Sequence, residues 1–346
     1  NVTVGFTDTA YGRNSRMGNP KLGPHLRNEA QIPKGFNQLL EKLHDIPTLP
    51  IVATKVTELI NNPNSSSADI ANVLKKDQVL TAKVLKLINS PYYGIPGGVT
   101  DVKRALAFLG FNTLAQLVLG LSVFSLFPGE GSEEFPMLDF WRHALATGVA
   151  SEVIAKKIKH PKPEECFTCG LLHDIGKIVM HQVARETLFT IVRHARKNQI
   201  SFTQAESELD APSHAFLGEH IAAKWGLPQV IRTTIRYHHV DVRNSETILP
   251  SAKPSIYIVA VANALAIEMK IGHSGDYSDG GLQPYMYEML GLQASDMETI
   301  QNIVREEMRR AGAFLSAAGG GAAREDDTKA DSNGAPPSRG EGSTAA

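Results

Sequence analysis

Apolar residues recur at helical spacing through the first half of the chain. Val52, Val56 and Ile60 repeat every fourth residue, and the apolar residues of 79–88 also share one face. This spacing places side chains on one side of a helix, whereas a strand alternates every second residue. Asp77 and the serines of 65–67 are good N-caps. The pattern predicts helices over 52–61, 68–76, 78–88, 102–109 and 113–127.

The second half shows the same periodicity, interrupted by proline and glycine. Pro161 and Pro163 mark one interruption, and the segment Trp225-Gly226-Leu227-Pro228 marks another. Proline ends helices because it lacks an N–H group and its ring clashes with the preceding turn. The pattern predicts helical segments over 136–160, 164–183, 185–197, 201–208, 213–228, 230–239 and 251–270, followed by two short helices that end near residue 314.

These segments together predict an all-α fold. We find neither the alternation of half-buried strands nor a solenoid repeat. The Gly- and Pro-containing segment 128–132 is the clearest internal boundary. We therefore predict an N-terminal helical bundle, residues 33–128, packed on a larger helical bundle, residues 129–316. Residues 1–32 are predicted to be a flexible leader, and residues 317–346, rich in Gly, Ala, Ser, Pro and charge, a disordered tail.

Composition and charge narrow the class of function. The chain has 35 Lys and Arg against 36 Asp and Glu, so its net charge of −1 gives no electrostatic basis for bulk nucleic-acid binding. Two cysteines in 346 residues do not make a disulfide framework. We expect no apolar run that spans a bilayer and no membrane partner. The first thirty residues lack a signal-peptide pattern, so the expected location is the cytoplasm.

The stretch GLLHDIGKIVM, residues 170–180, places His173 and Asp174 inside an apolar run. A buried carboxylate or imidazole is costly unless something pairs with it. A metal ion is one such partner, and a hydrogen-bond network within a helical core is the other. A dipeptide alone does not decide between them, because His44-Asp45 is also a His-Asp pair without supporting neighbours.

Other polar positions of the second half strengthen the metal hypothesis. Each lies within or at the end of a predicted helix, and a metal site can be assembled from ligands on several helices. Imidazole and carboxylate ligands suit iron, manganese and zinc. The candidate ligands are His143, His173, Asp174, His214, His238, His239 and, as a weak ligand, Asn263.

Several motifs make the chain resemble the HD superfamily of metal-dependent phosphohydrolases, and within it the HDOD family, the HD-related output domain of bacterial signalling proteins. The resemblance covers residues 46–239 and extends more loosely to residue 270. NSPYYG (89–94) together with LLHDIGK (171–177) is highly specific. The other matching segments are IPTLPIVATKVTELIN (46–61), LTAKVLKLIN (80–89), FLGFNTLAQLVL (108–119), FWRHALAT (140–147), the His214 stretch with WGLP, and YHH (237–239).

The resemblance implies roles for these residues. By that comparison His143 is the first ligand, His173 and Asp174 are the HD pair, and His214, His238 and His239 match added histidines of the HD-GYP phosphodiesterases. Asn263 stands where the superfamily has a final Asp, and its amide oxygen is a weaker, neutral ligand. The GYP motif is missing, because VDVRNSE (240–246) follows the histidines. The resemblance thus implies one or two divalent ions in a degenerate site. Asp241 is an alternative ligand in this chain, although nothing in the sequence locates it near the site.

Three hypotheses for function follow. The first is a signal-transduction output module that binds a protein partner, with no or weak hydrolysis. The second is a metal-dependent phosphohydrolase or phosphodiesterase acting on a nucleotide or cyclic dinucleotide. In it Lys177 steadies the phosphate, although a solvated helix position fits Lys177 equally well. The third is a helical protein without a site, whose histidines are buried and hydrogen-bonded. The resemblance favours the first.

Two further motifs have structural explanations. Cys166 and Cys169 form a C-x-x-C, but with no second cysteine pair we interpret them as small buried residues. A redox effect on the nearby site is a minor hypothesis. Tyr92 and Tyr93 lie in a Gly/Pro loop and are interpreted as aromatic anchors of that loop, with base or peptide binding as the alternative.

Overall fold

The computed structural model describes Leu39 and residues 42–127 and 131–318, and this part of the chain folds as α-helices joined by loops. No β-strand forms within these residues, although Gly131 and Pro136 make an isolated β-bridge. The all-α prediction is confirmed. The predicted leader lies outside the described residues, and so does the predicted tail apart from residues 317–318.

Side-chain caps fix where several helices of the first half begin. A 3₁₀ turn, Leu43–Asp45, precedes α1 (Ile51–Asn61), α2 (Ser67–Leu74), α3 (Gln78–Ile88) and α4 (Val102–Leu126). Ser66 and Asp69 form a capping box at the start of α2. Asp77 accepts a hydrogen bond from the backbone of Leu80 at the start of α3. These caps satisfy N–H groups that a helix leaves unpaired, as the serine and aspartate positions predicted.

The element α4 consists of two helical stretches that meet at a kink, where the sequence predicts a break between two helices. Gly110 has φ 75° and ψ 175°, which are not helical values. Glycine adopts a positive φ without the steric cost that a Cβ brings. The predicted break between the helices 102–109 and 113–127 is therefore confirmed, although the second helical stretch follows the kink directly, without a loop.

The length and composition of α4 contradict one expectation from the sequence. It is long and apolar enough to cross a membrane by those two criteria. However, 56% of its most apolar window is buried inside the fold, and every residue of 114–124 is buried. A central core helix passes the same test, so the finding is weak evidence for a membrane span.

The second half is a longer series of helices. Their bounds are α5 (Met137–Lys157), α6 (Pro163–Leu172), α7 (Ile175–Val183), α8 (Arg185–Asn198), α9 (Phe202–Glu208), α10 (His214–Lys224), α11 (Gln229–Tyr237), α12 (Lys253–Glu268), α13 (Pro284–Glu288) and α14 (Ala294–Ala318). Two predictions were wrong. The segment 164–183 is two helices, because the chain breaks at His173-Asp174. The last helix is not short, since α14 has 25 residues.

One hydrophobic core joins the two halves of the chain. It contains buried residues from Leu39 through Ala311. Within the second half α5 packs against α6 and α12, and α7 packs against α10. The first half joins this core mainly where α4 packs on α6. The division into bundles at 33–128 and 129–316 stays a prediction, since a continuous core does not mark a boundary.

Candidate metal centre

The break between α6 and α7 places the His-Asp pair at a buried point between two helices. His173 caps the C-terminal end of α6, and Asp174 caps the N-terminal end of α7. Their exposed fractions are 0% and 1%. The backbone N–H of Lys177 donates to the carbonyl of Asp174 over 2.9 Å, which begins the new helix at once.

His173 and His238 are each oriented by a hydrogen bond from Nδ1 to a backbone carbonyl three residues earlier. The Nδ1 atom of His173 donates to the carbonyl of Gly170 over 2.7 Å, three residues back along the helix. The Nδ1 atom of His238, which caps the end of α11, donates to the carbonyl of Ile235 over 2.8 Å. Using Nδ1 in this way fixes the tautomer and leaves Nε2 as the free lone pair, as metal-binding histidines require.

His214 is held by a carboxylate that sequence reasoning missed. Glu206 accepts from His214 Nδ1 over 3.0 Å and from the His214 backbone N–H over 2.6 Å. Glu206 is buried and lies on α9, four residues after the fully buried Phe202. That spacing puts both on one helix face, so a carboxylate on an apolar face was the available signal.

The Asp174 carboxylate lies at the middle of the cluster, and its two oxygens face different histidines. Oδ2 is 3.3 Å from His173 Nε2. Oδ1 is 3.1 Å from His214 Nε2 and 3.6 Å from His238 Nε2. The structure therefore brings together the side chains of three separate segments around one carboxylate.

The remaining predicted ligands border this centre. His143, on α5, has its ring centroid 5.5 Å from that of His173. Asn263, on α12, lies beside His143, and its Oδ1 atom has no hydrogen-bond partner in the described part of the chain. The His239 ring centroid is 4.0 Å from that of His238 and 5.1 Å from that of His214. Every predicted ligand is thus placed at or beside the centre.

Lys177 is buried, so its interpretation as a solvated helix residue was wrong. Its Nζ donates to Asp174 Oδ2 over 2.7 Å and to the Ser274 hydroxyl over 3.2 Å. The ammonium also lies 4.5 Å from the centroid of the Phe202 ring. Ser274 and Phe202 were not predicted from the sequence. Their loop and helix come from distant parts of the chain, and neither residue type is a metal ligand.

Burial and neighbouring charges shift the pKa values of these groups in opposite directions. Burial lowers the pKa of His143 to about 3 and that of His238 to about 4, in both cases with a contribution from His173. Burial also acts against protonation of His214, but Glu206 and Asp174 outweigh it and raise the pKa to about 9. For Asp174 burial alone would raise the pKa, yet His173 and Lys177 hold it well below its usual range.

The donor set fits a divalent metal ion. A lone pair that faces a carboxylate oxygen needs a proton or a cation between them. Within the described residues, the Nε2 atoms of the five candidate histidines and Asp174 Oδ1 are buried without a hydrogen-bond partner. The ligand atoms lie within 4.8 Å of one another in two groups, which share Asp174. One group is His143, His173 and Asp174, and the other is Asp174, His214, His238 and His239.

Asp241, the alternative ligand, is engaged elsewhere. Its carboxylate accepts from the guanidinium of Arg243 over 2.6–3.0 Å and from the Tyr257 hydroxyl over 3.0 Å. Of these contacts, the ion pair with Arg243 is partly exposed. Asp241 is not in either group of candidate ligand atoms.

The cysteine pair and the tyrosine pair, for which the sequence favours structural explanations, both contact neighbouring residues of the fold. Cys166 and Cys169 are free, buried thiols, and Cys166 Sγ lies 3.5 Å from Nδ1 of His160. The Tyr92 hydroxyl donates to the carboxylate of Glu152 on α5. The rings of Tyr92 and Tyr93 meet edge to face with centroids 4.9 Å apart and pack against the core. These contacts suit aromatic anchors.

The fold and the centre together define the class of protein. An all-α bundle that gathers histidines from several helices around a His-Asp pair is the arrangement that the HD resemblance implied. The HDOD domain profile matches residues 46–240, more than half of the 346 residues. The chain belongs to the HDOD domain family.

Similar proteins agree with this assignment. An HDOD domain protein with unknown function from Geobacter sulfurreducens is 24% identical, with a TM-score of 0.64 covering 81% of this chain and 97% of that chain. A proposed phosphohydrolase from Shewanella amazonensis SB2B is 24% identical, with a TM-score of 0.61 and the same coverage. At these identities the likeness shows the fold alone. An uncharacterized protein of Treponema pallidum (strain Nichols) is 26% identical over 250 residues, 72% of this chain. The chain spans 47% of that relative's length.

Proposed function

We propose that this chain is a cytoplasmic signal-transduction output module that binds a protein partner, and that its metal centre has no or weak hydrolytic activity. The observation that carries the proposal is the closure of the centre. His143, His173, Asp174, His214 and His238 are at most 2% exposed and Asn263 is 7% exposed, while among the candidate ligands His239 alone is partly exposed. A phosphoester substrate needs an open approach to the metal ligands, and a structural or regulatory ion does not.

Two further features disfavour hydrolysis. The Lys177 ammonium is already paired with Asp174 and bonded to Ser274, so it is not free to meet a phosphate. Asn263 removes a negative charge that the family pattern supplies. A bound ion would be held by the candidate histidines and Asp174, and it would supply positive charge and, where water reaches it, a more acidic water.

The first half of the chain offers a surface for a protein partner. Ile51 and Val79 are 81% and 70% exposed. Their neighbours Pro50 and Leu80 line a shallow depression between α1, α3 and α4. Exposed apolar residues beside such a depression are candidates for contact with a protein partner. We expect Ile51→Asp with Val79→Asp to lose a partner that cross-linking detects, whereas Leu249→Asp, also exposed at 68%, keeps it. Equal loss from both variants would remove the support for this surface.

The metal content of the protein purified without chelator tests the centre directly. We expect a stoichiometric transition metal by elemental mass spectrometry, and its disappearance in the His173→Ala, Asp174→Ala variant. A wild-type protein that stays metal-free after reloading with manganese, iron or zinc would refute the metal centre. The third hypothesis, a hydrogen-bonded cluster without function, would then stand.

A metal-dependent phosphohydrolase is the second candidate. The position of Asp174 favours it, because its two oxygens face the two ligand groups and a bridging carboxylate is a feature of two-metal hydrolytic sites. A fold neighbour is described as a proposed phosphohydrolase. Metal-loaded protein should be screened against nucleotides, cyclic dinucleotides and generic phosphodiesters. Turnover that Asp174→Asn abolishes would favour this candidate, and no turnover would favour the output module.

A further inference from the structure

The two ligand groups of the metal centre share one carboxylate, and its two oxygens are not equally available to a cation. The first group is His143, His173 and Asp174, and the second group is Asp174, His214, His238 and His239. Asp174 Oδ2, which faces His173 of the first group, already accepts from the Lys177 ammonium. Asp174 Oδ1, which faces His214 and His238 of the second group, has no hydrogen-bond partner within the described residues.

The Lys177 ammonium is held beside Oδ2 from three directions. It donates to Asp174 over 2.7 Å and to the Ser274 hydroxyl over 3.2 Å. It also lies 4.5 Å from the centroid of the Phe202 ring, within the range of a cation–π contact. The side chain is buried. A divalent ion placed at the first group would therefore meet a fixed positive charge on the oxygen that it needs.

The second group has a negative charge behind it instead. The buried carboxylate of Glu206 accepts from His214 Nδ1 over 3.0 Å, while His214 Nε2 faces Asp174 Oδ1 over 3.1 Å. A carboxylate in this position raises the basicity of a histidine ligand and so favours a cation at its other nitrogen. The second group also contains His239, the candidate ligand that is partly exposed. It is therefore both the better supported group and the one nearer to solvent.

The first group has less need of an ion. His143 lies beside the neutral amide of Asn263. An imidazole N–H can donate to an amide oxygen, so these two side chains can satisfy each other without a cation. Asp174 is the only carboxylate in either group. Two divalent ions around one carboxylate that is already paired with an ammonium would leave a large uncompensated charge in a buried site.

On the basis of the metal centre proposed above, we propose that it holds one divalent ion, bound by the second group, and that the Lys177 ammonium takes the place of a second ion at the first group. Lys177 then sets the number of ions per chain and is neither a ligand nor a phosphate contact. A centre with one ion also lacks the second metal that the two-metal hydrolase candidate requires.

The number of ions per chain tests the role of Lys177. The protein is dialysed against manganese and then against metal-free buffer, and bound manganese is counted by elemental mass spectrometry. We expect one ion per chain in the wild type and two in Lys177→Met, which keeps the length of the side chain but removes its charge. Adding His143→Leu to Lys177→Met should return the count to one. Lys157→Met is the matched control, because Lys157 pairs with Asp296 in a partly exposed ion pair, and its count should stay at one.

The counts separate this proposal from the metal centre itself. A wild type that binds no metal would refute the centre. Two ions in the wild type would leave the centre intact but overturn the proposal and favour the two-metal hydrolase. A single ion in Lys177→Met would also overturn the role of Lys177.

Matched ligand substitutions locate the ion and do not depend on the folding of Lys177→Met. Competition with a chromophoric chelator measures manganese affinity. His239→Leu should weaken it at least ~10-fold, and His143→Leu should leave it unchanged, because only the second group binds the ion. An equal loss in both variants, or a loss in His143→Leu alone, would overturn the proposal. If His143→Leu does not fold, the ion count of Lys177→Met carries the test.

Discussion

At the residue scale, the Glu206 carboxylate controls how His214 faces the centre. It accepts from both the ring and the backbone of His214, so it fixes ring orientation and tautomer. Such outer carboxylates tune the basicity and position of a metal ligand. The candidate ligands were predictable because His and Asp are ligand types and match a family pattern. Glu206 was not, because it acts through another residue eight positions away.

Glu206→Gln tests this positioning role. We expect metal affinity to fall by ~10- to 100-fold, because the amide keeps an acceptor but loses the charge that supports His214. Competition with a chromophoric chelator measures the affinity. Glu208→Gln is the matched control, since Glu208 lies on the same helix but bonds His194 and Gln204 at the surface. Equal losses in both variants would contradict a specific role for Glu206.

The cysteines give a prediction for pH dependence at the same scale. Burial raises the pKa of the Cys166 thiol to about 12 and raises that of Cys169 as well. Between the unfolded pKa, near ~8.5, and the folded value, only the unfolded chain loses these protons. The contribution of the two buried, protonated thiols to the free energy of unfolding is therefore fully present below pH ~8.5 and declines as pH rises above that value.

The rate of alkylation with iodoacetamide near pH ~9 measures how far burial suppresses thiolate formation at Cys166 and Cys169, because the thiolate is the reactive form. We expect both thiols of the native protein to be modified at least ~100-fold more slowly than those of the urea-unfolded chain. Metal content should stay constant during the reaction. Rapid native labelling with release of metal would instead support the minor redox hypothesis for Cys166 and Cys169.

At the element scale, the close contact of α7 with α10 aligns Asp174 with His214. A Cβ added at Gly176 would lie 1.8 Å from the His214 carbonyl oxygen, a backbone atom that cannot rotate away. Periodicity did not predict this approach or the helix break before it. Leu171, Leu172 and Ile175 have helical spacing across the break, so only the tertiary contact shows why the chain turns there.

Gly176→Ala is expected to lower the free energy of unfolding by about 3 kcal/mol, because α10 must move away from α7. The same shift should reduce metal binding, since it separates His214 from Asp174. Gly120→Ala is the control, because its Cβ would meet only the end of the Leu171 side chain, at 2.8 Å. Urea unfolding compares the two. A Gly176→Ala protein as stable as Gly120→Ala would show that the helices are not held this closely.

At the scale of the whole molecule, direct contacts link the halves that the sequence divides at 128–132. The Trp225 indole donates to the carbonyl of Pro47 over 3.1 Å, and Lys224 Nζ donates to the carbonyl of Leu43 over 2.9 Å. Across the same junction the rings of Phe124 and Trp141 have centroids 4.2 Å apart. Turn residues mark a boundary along the chain, but they carry no information about how much surface is buried across it.

The shared core predicts that both halves unfold together. Trp141 and Trp225 are the two tryptophans of the chain, and both lie at the junction, so their fluorescence reports on it while far-UV circular dichroism reports on all helices. We expect the two urea curves to coincide. Trp225→Phe removes the bond to Pro47 and should move both curves together, by about 1 kcal/mol. If fluorescence instead changes at a lower urea concentration than circular dichroism, the halves separate before they unfold. The two-bundle division would then describe independent folding units joined by a weaker interface.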